Sequence, residues 1–234
     1  MATVFLTGFP GFLGSALVER LLDRRDDETT VTCLIQSKYR EQAEERAADI
    51  EAGADRIDLV EGDITDAGLG LGDAYDDLQD ETIEAYHLAA IYDLTMDRGP
   101  GKQVNIEGTR HVLEFVAGAD VERFHYVSTV VVSGLYEGQF TEEMLLEGQR
   151  FGNHYESTKH AAEVLVQERT DEIPTTIYRP AAAVGDSETG ETQKYDGPYA
   201  FVEALLEQGD YAVVPATRSS TSSRGTTSST PSAT

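Results

Sequence analysis

Short apolar runs alternate with amphipathic stretches along most of this 234-residue chain, and no other feature restricts the fold as strongly. The apolar runs lie at residues 3–7, 30–35, 57–60, 83–88, 123–128 and 174–178, and β-branched and aromatic residues are frequent in them. Helical spacing predicts helices over residues 16–22, 39–51, 102–116 and 153–169. Apolar runs of this kind fit strands buried on both faces. Strand and helix in alternation call for a parallel sheet covered by helices on both sides. With right-handed crossovers, the expected fold class is α/β, a doubly wound parallel sheet of Rossmann type. No internal repeat is visible.

The junction between the first strand and the first helix is rich in glycine: Thr7-Gly8-Phe9-Pro10-Gly11-Phe12-Leu13-Gly14. Gly8 permits a tight turn out of the strand. Gly11 lets backbone approach a pyrophosphate with no Cβ in the way, and Gly14 lets the helix pack closely. A pyrophosphate would meet free amides and the positive end of the helix dipole. This strand–turn–helix context points to a dinucleotide site.

The charge balance narrows the partners. Lys and Arg total 18 against 43 Asp and Glu, a formal charge of -25. That argues against a nucleic-acid footprint and against docking on an anionic membrane. The acid is spread along the chain, as on the solvated surface of halophilic proteins. The single cysteine, Cys33, excludes an internal disulfide and a cysteine-based zinc site; within its apolar run it reads as a small buried hydrophobe. The five histidines show no metal spacing, and His87 and His125 read as packed residues. There is no apolar run of membrane-spanning length and no secretory pattern, so the expectation is a soluble cytoplasmic protein with no membrane span.

The spacing of the glycines, G-x-x-G-x-x-G, together with Thr7 and Gly11-Phe12-Leu13-Gly14, resembles the extended short-chain dehydrogenase/reductase family over roughly residues 1–215. The chain looks most like the branch holding fatty acyl-CoA reductases and thioester reductase domains. Epimerases and dehydratases of nucleotide sugars are more remote. The stretch Tyr178-Arg179-Pro180 followed by residues 184–191 resembles that acyl reductase branch. The resemblance implies cofactor contacts from Thr7 to Gly14. It also implies contacts from Asp63 and Ile64 after the third strand, and from the small-residue segment Leu88-Ala89-Ala90 after the fourth.

The second strand ends Gln36-Ser37-Lys38, with Arg40 shortly after and no carboxylate where NAD-binding relatives hold the ribose. A hydroxyl and two cations suit a 2′-phosphate, so NADP(H) is favoured, with NAD(H) the alternative. Gln36 departs from the Arg that NADP-preferring relatives often carry.

Tyr155 and Lys159 stand four apart on a predicted helix, which puts both side chains on one face. A phenol is a weak proton donor at neutral pH, and a nearby ammonium lowers its pKa. By resemblance, Tyr155 is the acid, Lys159 its tuner, and the fifth strand supplies a hydroxyl, Thr129, with Ser128 as rival. Asn105 matches a helix asparagine that supports the proton path or the active-site backbone; a buried structural amide fits it equally. No metal is implied. The reading is an NADP(H)-dependent oxidoreductase acting on a small molecule, an acyl-thioester, aldehyde or ketone. Its alternatives are an NAD-dependent nucleotide-sugar epimerase or dehydratase and an inactive dinucleotide-binding fragment. A homodimer is a possible assembly.

Composition breaks at residue 216. Residues 216–234 hold seven Ser and six Thr with no acidic, aromatic or large aliphatic residue, which predicts a disordered tail. Written in permitted codons and read two bases on, Ala216 onward spells Asp-Ala-Glu-Phe-Asn-Val-Val-Pro-Arg-Asp-Tyr-Val. That resembles the family's next segment. The expectation is therefore a 1–215 Rossmann domain with the start of a substrate region, an incomplete C-terminal substrate domain, and a frameshifted tail. The gene's nucleotides decide the last point.

Overall fold

The structure is a computed structural model and describes residues 3–50, 54–93 and 98–190, together with residues 192, 199, 202, 203, 206, 223 and 224. The chain divides into two compact units, Met1–Arg179 and Pro180–Thr234.

The first unit is built on six strands: β1 (Thr3–Thr7), β2 (Thr30–Ile35), β3 (Ile57–Glu61), β4 (Thr82–His87), β5 (Arg123–Val127) and β6 (Thr175–Tyr178). They form one parallel sheet in the order β3-β2-β1-β4-β5-β6. The order reverses between β1 and β4, and Thr7 lies level with His87 there. In open sheets of this kind ligands bind outside the carboxyl ends of the strands at that reversal.

All five residues of β1 are buried. Phe5 points into a core with Phe115, Phe124 and Val166, while Val4 and Leu6 point into a second core with Val18, Leu22 and Cys33. A strand covered on both faces needs apolar residues at every position, which is why the run reads as continuous. Burial also raises the Cys33 thiol far above its usual pKa, with Asp58 adding to it.

Helices α1 (Phe12–Arg24), α2 (Arg40–Asp49), α3 (Ala74–Glu81), α4 (Arg98–Gly101), α5 (Gly108–Gly118) and α6 (His154–Gln167) connect the strands. The single turn α4 was not expected from the sequence, and two longer stretches also differ from the expectation. Helix α3 occupies a stretch read only as following a glycine-rich loop. Its one buried apolar side chain, Leu78, gives little periodic signal, while Asp76 and Asp77 suit the N-terminal dipole. The helix expected from residue 102 begins instead as a π-helical stretch, Lys102–Glu107, before α5. Such wider turns often sit at functional sites, and this one buries Asn105.

Helix α6 is fixed at its start by reciprocal capping. Asn153 accepts from the Glu156 amide at 2.9 Å, and the Glu156 carboxylate accepts from Gly152 N at 2.7 Å. This sets where Tyr155, in the first turn, leaves the backbone.

In the second unit, Ala183–Val184 pairs in parallel with Ser223–Arg224. The Asp186 carboxylate accepts from the amides of Glu188 and Thr189 at 2.9 and 2.8 Å. Apart from Ser223 and Arg224, the Ser/Thr-rich segment lies outside the described residues. Among the described residues no helix is long and apolar enough to cross a membrane.

Candidate active site

The turn after β1 has no room for a Cβ at its three glycines. Gly8 has φ +104°, and a Cβ there would stand 2.9 Å from Leu88 Cβ and 3.0 Å from Ala89 N. The Gly8 carbonyl accepts from Gly11 N at 3.0 Å. A Cβ on Gly14 would come within 2.4 Å of that carbonyl oxygen, and one on Gly11 within 2.8 Å. Helix α1 starts without a side-chain cap, and its first bond runs from Ser15 N to Gly11 O. The amides of its first turn are thus without helical partners, at the positive end of the dipole. Phe9 is buried and Leu13 exposed. The Ser15 hydroxyl anchors the turn on Pro10 O at 3.1 Å.

Thr7 closes the other side. Its hydroxyl bonds His87 Nδ1 at 2.7 Å, and the Ala89 amide donates to it at 3.3 Å. His87 Nε2 meets Thr109 Oγ1 at 3.0 Å, while Thr109 gives its own proton to Asn105 O. His87 therefore donates through Nε2 and accepts through Nδ1. Full burial pushes its pKa down to about 3, with Lys159 adding to the effect. It is a neutral strut that sets the segment Leu88-Ala89-Ala90 against the glycine turn.

The end of β2 distributes its charges unevenly. Ser37 and Lys38 are exposed, with the Lys38 ammonium 4.9 Å from the Tyr39 ring centre. Arg40 is engaged, bonding Glu61 at 2.8 Å and Leu59 O at 3.4 Å. Gln36 donates to Asp63. Burial disfavours the charged form of Asp63. Bonds from Thr65 and Gln36, with the charge of Lys38, outweigh that and hold its carboxyl below the usual range. Ile64 is buried at the start of the following loop and packs against Gly108.

Tyr155 is buried, and the Thr129 hydroxyl stands beside its phenol and lowers its pKa; Thr129 also accepts from Val131 N at 3.3 Å. Burial pushes the phenol up to about 12; the Thr129 bond works against this, and Tyr92 adds to it. Ser128 points elsewhere, donating to Glu163. Thr129, not Ser128, is the hydroxyl brought beside the phenol. Lys159 is also buried. Its Nζ donates to Val127 O at 2.9 Å and Tyr126 Oη at 3.2 Å, so its bonds go to β5 and not to the Tyr155 phenol. Burial pulls its pKa down to about 8, opposed by Glu163.

Asn105 Oδ1 accepts from Ile91 N at 2.8 Å, and its amide donates to Ile91 O at 3.3 Å and Thr158 Oγ1 at 3.1 Å. It ties the segment after β4 to α6. His125 lies in mid-strand, between Glu84 at 2.8 Å and Tyr178 at 2.9 Å, and is not part of this site.

Sequence reasoning missed Tyr92, whose ring packs edge-on against Tyr155 at 5.1 Å. It missed Tyr126 and Glu163 as well. Glu163 was detectable, since it continues the four-residue spacing of Tyr155 and Lys159. Among the described residues no group of His, Cys, Asp and Glu could hold a metal.

A parallel sheet of this order, with that turn at its reversal, is an NAD-binding domain of the extended short-chain dehydrogenase/reductase type. Residues 6–223 match the model of the NAD-binding family described as male sterility protein, and the chain belongs to that family. The large subunit of L-2-aminoadipate reductase from Penicillium chrysogenum is 29% identical over 234 residues, covering 88% of this chain and 16% of that protein. Carboxylic acid reductase from Mycobacterium tuberculosis is 26% identical over 248 residues, covering 91% of this chain and 20% of that protein. Among solved structures, the terminal R domain from the myxalamid PKS-NRPS biosynthetic pathway has a TM-score of 0.78 at 30% identity, covering 92% of this chain and 57% of that one. The chain thus spans a small part of the two curated relatives and somewhat over half of the solved R domain.

Proposed function

We propose that this domain binds NADP(H) and serves the reduction of an acyl-thioester, aldehyde or ketone. The observation that carries the reading is the buried Tyr155 phenol with the Thr129 hydroxyl on it and a buried ammonium one helical turn further along. The similarity to a carboxylic acid reductase and to a terminal R domain supports the substrate class.

A dinucleotide fits the residues present. At Gly8, Gly11 and Gly14 the turn has no room for a Cβ, and small residues, Ala89 and Ala90, follow β4 at the reversal of strand order. The first-turn amides of α1 would hold the diphosphate and Asp63 the adenine side. Ser37 and Lys38, exposed at the end of β2, would hold a 2′-phosphate; Arg40 would have to leave or share Glu61. A bound nicotinamide supplies hydride. Tyr155, protonated at neutral pH, donates its proton to the substrate oxygen as charge develops there. Thr129 orients that oxygen through its hydroxyl. The Lys159 charge lowers the cost of the phenolate left behind.

The test is a fluorescence titration with NADPH and NADH, then a screen of acyl-CoA, aldehyde and ketone substrates at high salt. NADPH binding tighter than NADH, with turnover lost in Tyr155→Phe, is expected. Equal or tighter NADH binding overturns the cofactor assignment. Nucleotide-sugar turnover without added nicotinamide overturns the reductase reading, and cofactor binding with no turnover of any substrate overturns the enzymatic one.

A further inference from the structure

Tyr155, Lys159 and Glu163 follow one another at four-residue spacing on α6, so they share a face. Glu163 has no solvent exposure. Its carboxylate accepts the Ser128 hydroxyl, from the residue that follows β5. It also accepts from Arg179 Nε at 2.9 Å, with the Arg179 terminal nitrogen on the same oxygen. Arg179 directly follows β6, and its other arm donates to Thr141 O at 3.1 Å. A buried ion pair of this kind adds little net stability, because desolvating two charges offsets their attraction. The pair does, however, join three elements whose ends carry the site.

We propose that Glu163 is a positioning residue for the Tyr155 site. Its carboxylate engages the Ser128 hydroxyl and thereby leaves Thr129 as the one beside the phenol. It ties the ends of β5 and β6 to α6, and it stands as a carboxylate one helical turn from Lys159 on the same face. This rests on the proposed function only in giving the site its chemistry.

Among the described residues, these groups face Lys159. From β5 come Tyr126 and the Val127 carbonyl; from β4 comes His87; from α6 itself come Tyr155 and Glu163, with Arg179 reached through Glu163. His87 is neutral, and burial keeps the phenols of Tyr126 and Tyr155 protonated. Glu163 is thus the anion in this set. Burial pulls Lys159 toward neutrality, and Glu163 opposes it.

The chain holds four lysines, at 38, 102, 159 and 194, so lysine-labelled NMR of the full chain resolves each side-chain titration without any need for activity. In Glu163→Gln the Lys159 midpoint falls by about one pH unit or more, a tenfold change in the protonation ratio. In Glu163→Asp, which keeps the charge, it returns toward that of the parent. In Ser128→Ala Glu163 loses an uncharged donor and keeps its charge, and the midpoint rises, which decides the matter if Glu163→Gln does not fold. A Lys159 midpoint unmoved in the folded variants overturns the proposal. So does a moved midpoint with no matching move in the alkaline limb of turnover. If the parent chain turns over nothing, the proposed function fails, while the lysine titration still decides for or against Glu163.

Discussion

Gly14→Ala tests whether the turn after β1 is built as described. Gly14 lies in the first turn of α1 without a left-handed φ, so the backbone accepts alanine. Helix propensity alone would favour the change by about 1 kcal/mol. Against it stands a Cβ 2.4 Å from the Gly8 carbonyl oxygen, a backbone atom held by the Gly11 amide at 3.0 Å. The carbonyl has to retreat by roughly 1 Å to reach an ordinary contact. Overpacking of this kind costs about 1–3 kcal/mol, and losing the Gly11 bond adds about 1 kcal/mol. The net is a loss of about 2 kcal/mol, or about 4–8 °C in Tm for a domain of this size. The turn that would hold the diphosphate shifts with it, so NADPH affinity drops by at least about tenfold, or 1.4 kcal/mol. Thermal unfolding and fluorescence titration measure the two effects. Gly99→Ala is the control, because among the described residues nothing beyond its own helix and chain neighbours lies within 4 Å of its Cβ position; it should leave Tm level or slightly raised and the affinity unchanged. A Gly14→Ala chain as stable as its parent, binding NADPH as tightly, would refute the packing argument.

Three further outcomes are expected. Thr129→Val lowers kcat by about 100-fold and also costs about 0.5–2 kcal/mol, because its side chain accepts from the Val131 amide, while Ser128→Ala, which removes a bond to a buried carboxylate, lowers stability by about 1–3 kcal/mol with a smaller loss of kcat; steady-state rates separate the two. Lys38→Ala weakens NADPH binding several-fold and spares NADH, whereas Arg40→Ala, already engaged with Glu61, has the smaller effect, and parallel titrations check the order. Lys159 has a folded-state pKa near 8 against 10.5 for the free side chain. The unfolded chain therefore binds the extra proton between those values, and this group's contribution to stability rises with pH across that window. Urea midpoints from pH 7 to 10.5 should show a shallower alkaline decline for the parent than for Lys159→Met, and coincident pH dependences would sink the assignment.

Much of the architecture was legible in residue order because it depends on local pattern. Continuous apolar runs such as residues 3–7 belong to strands covered on both faces, and the glycines at 8, 11 and 14 mark a turn that sterics alone demand. Tyr155 and Lys159 share a helix face by periodicity. Helix α3 was not legible, since one leucine among acidic residues makes no stripe.

The sequence by itself determined the fold class, the strand–turn–helix cradle and the candidate pair on α6, all set by spacings of a few residues. Tertiary structure decided which of two adjacent hydroxyls meets the phenol, that Arg40 is held by Glu61, and that Arg179 and Ser128 converge on Glu163. Ser128 and Thr129 are neighbours in the chain, and only the packing of β5 against α6 turns one toward Glu163 and the other toward Tyr155. Such choices depend on distances between elements far apart in the chain, and no short-range pattern encodes those distances.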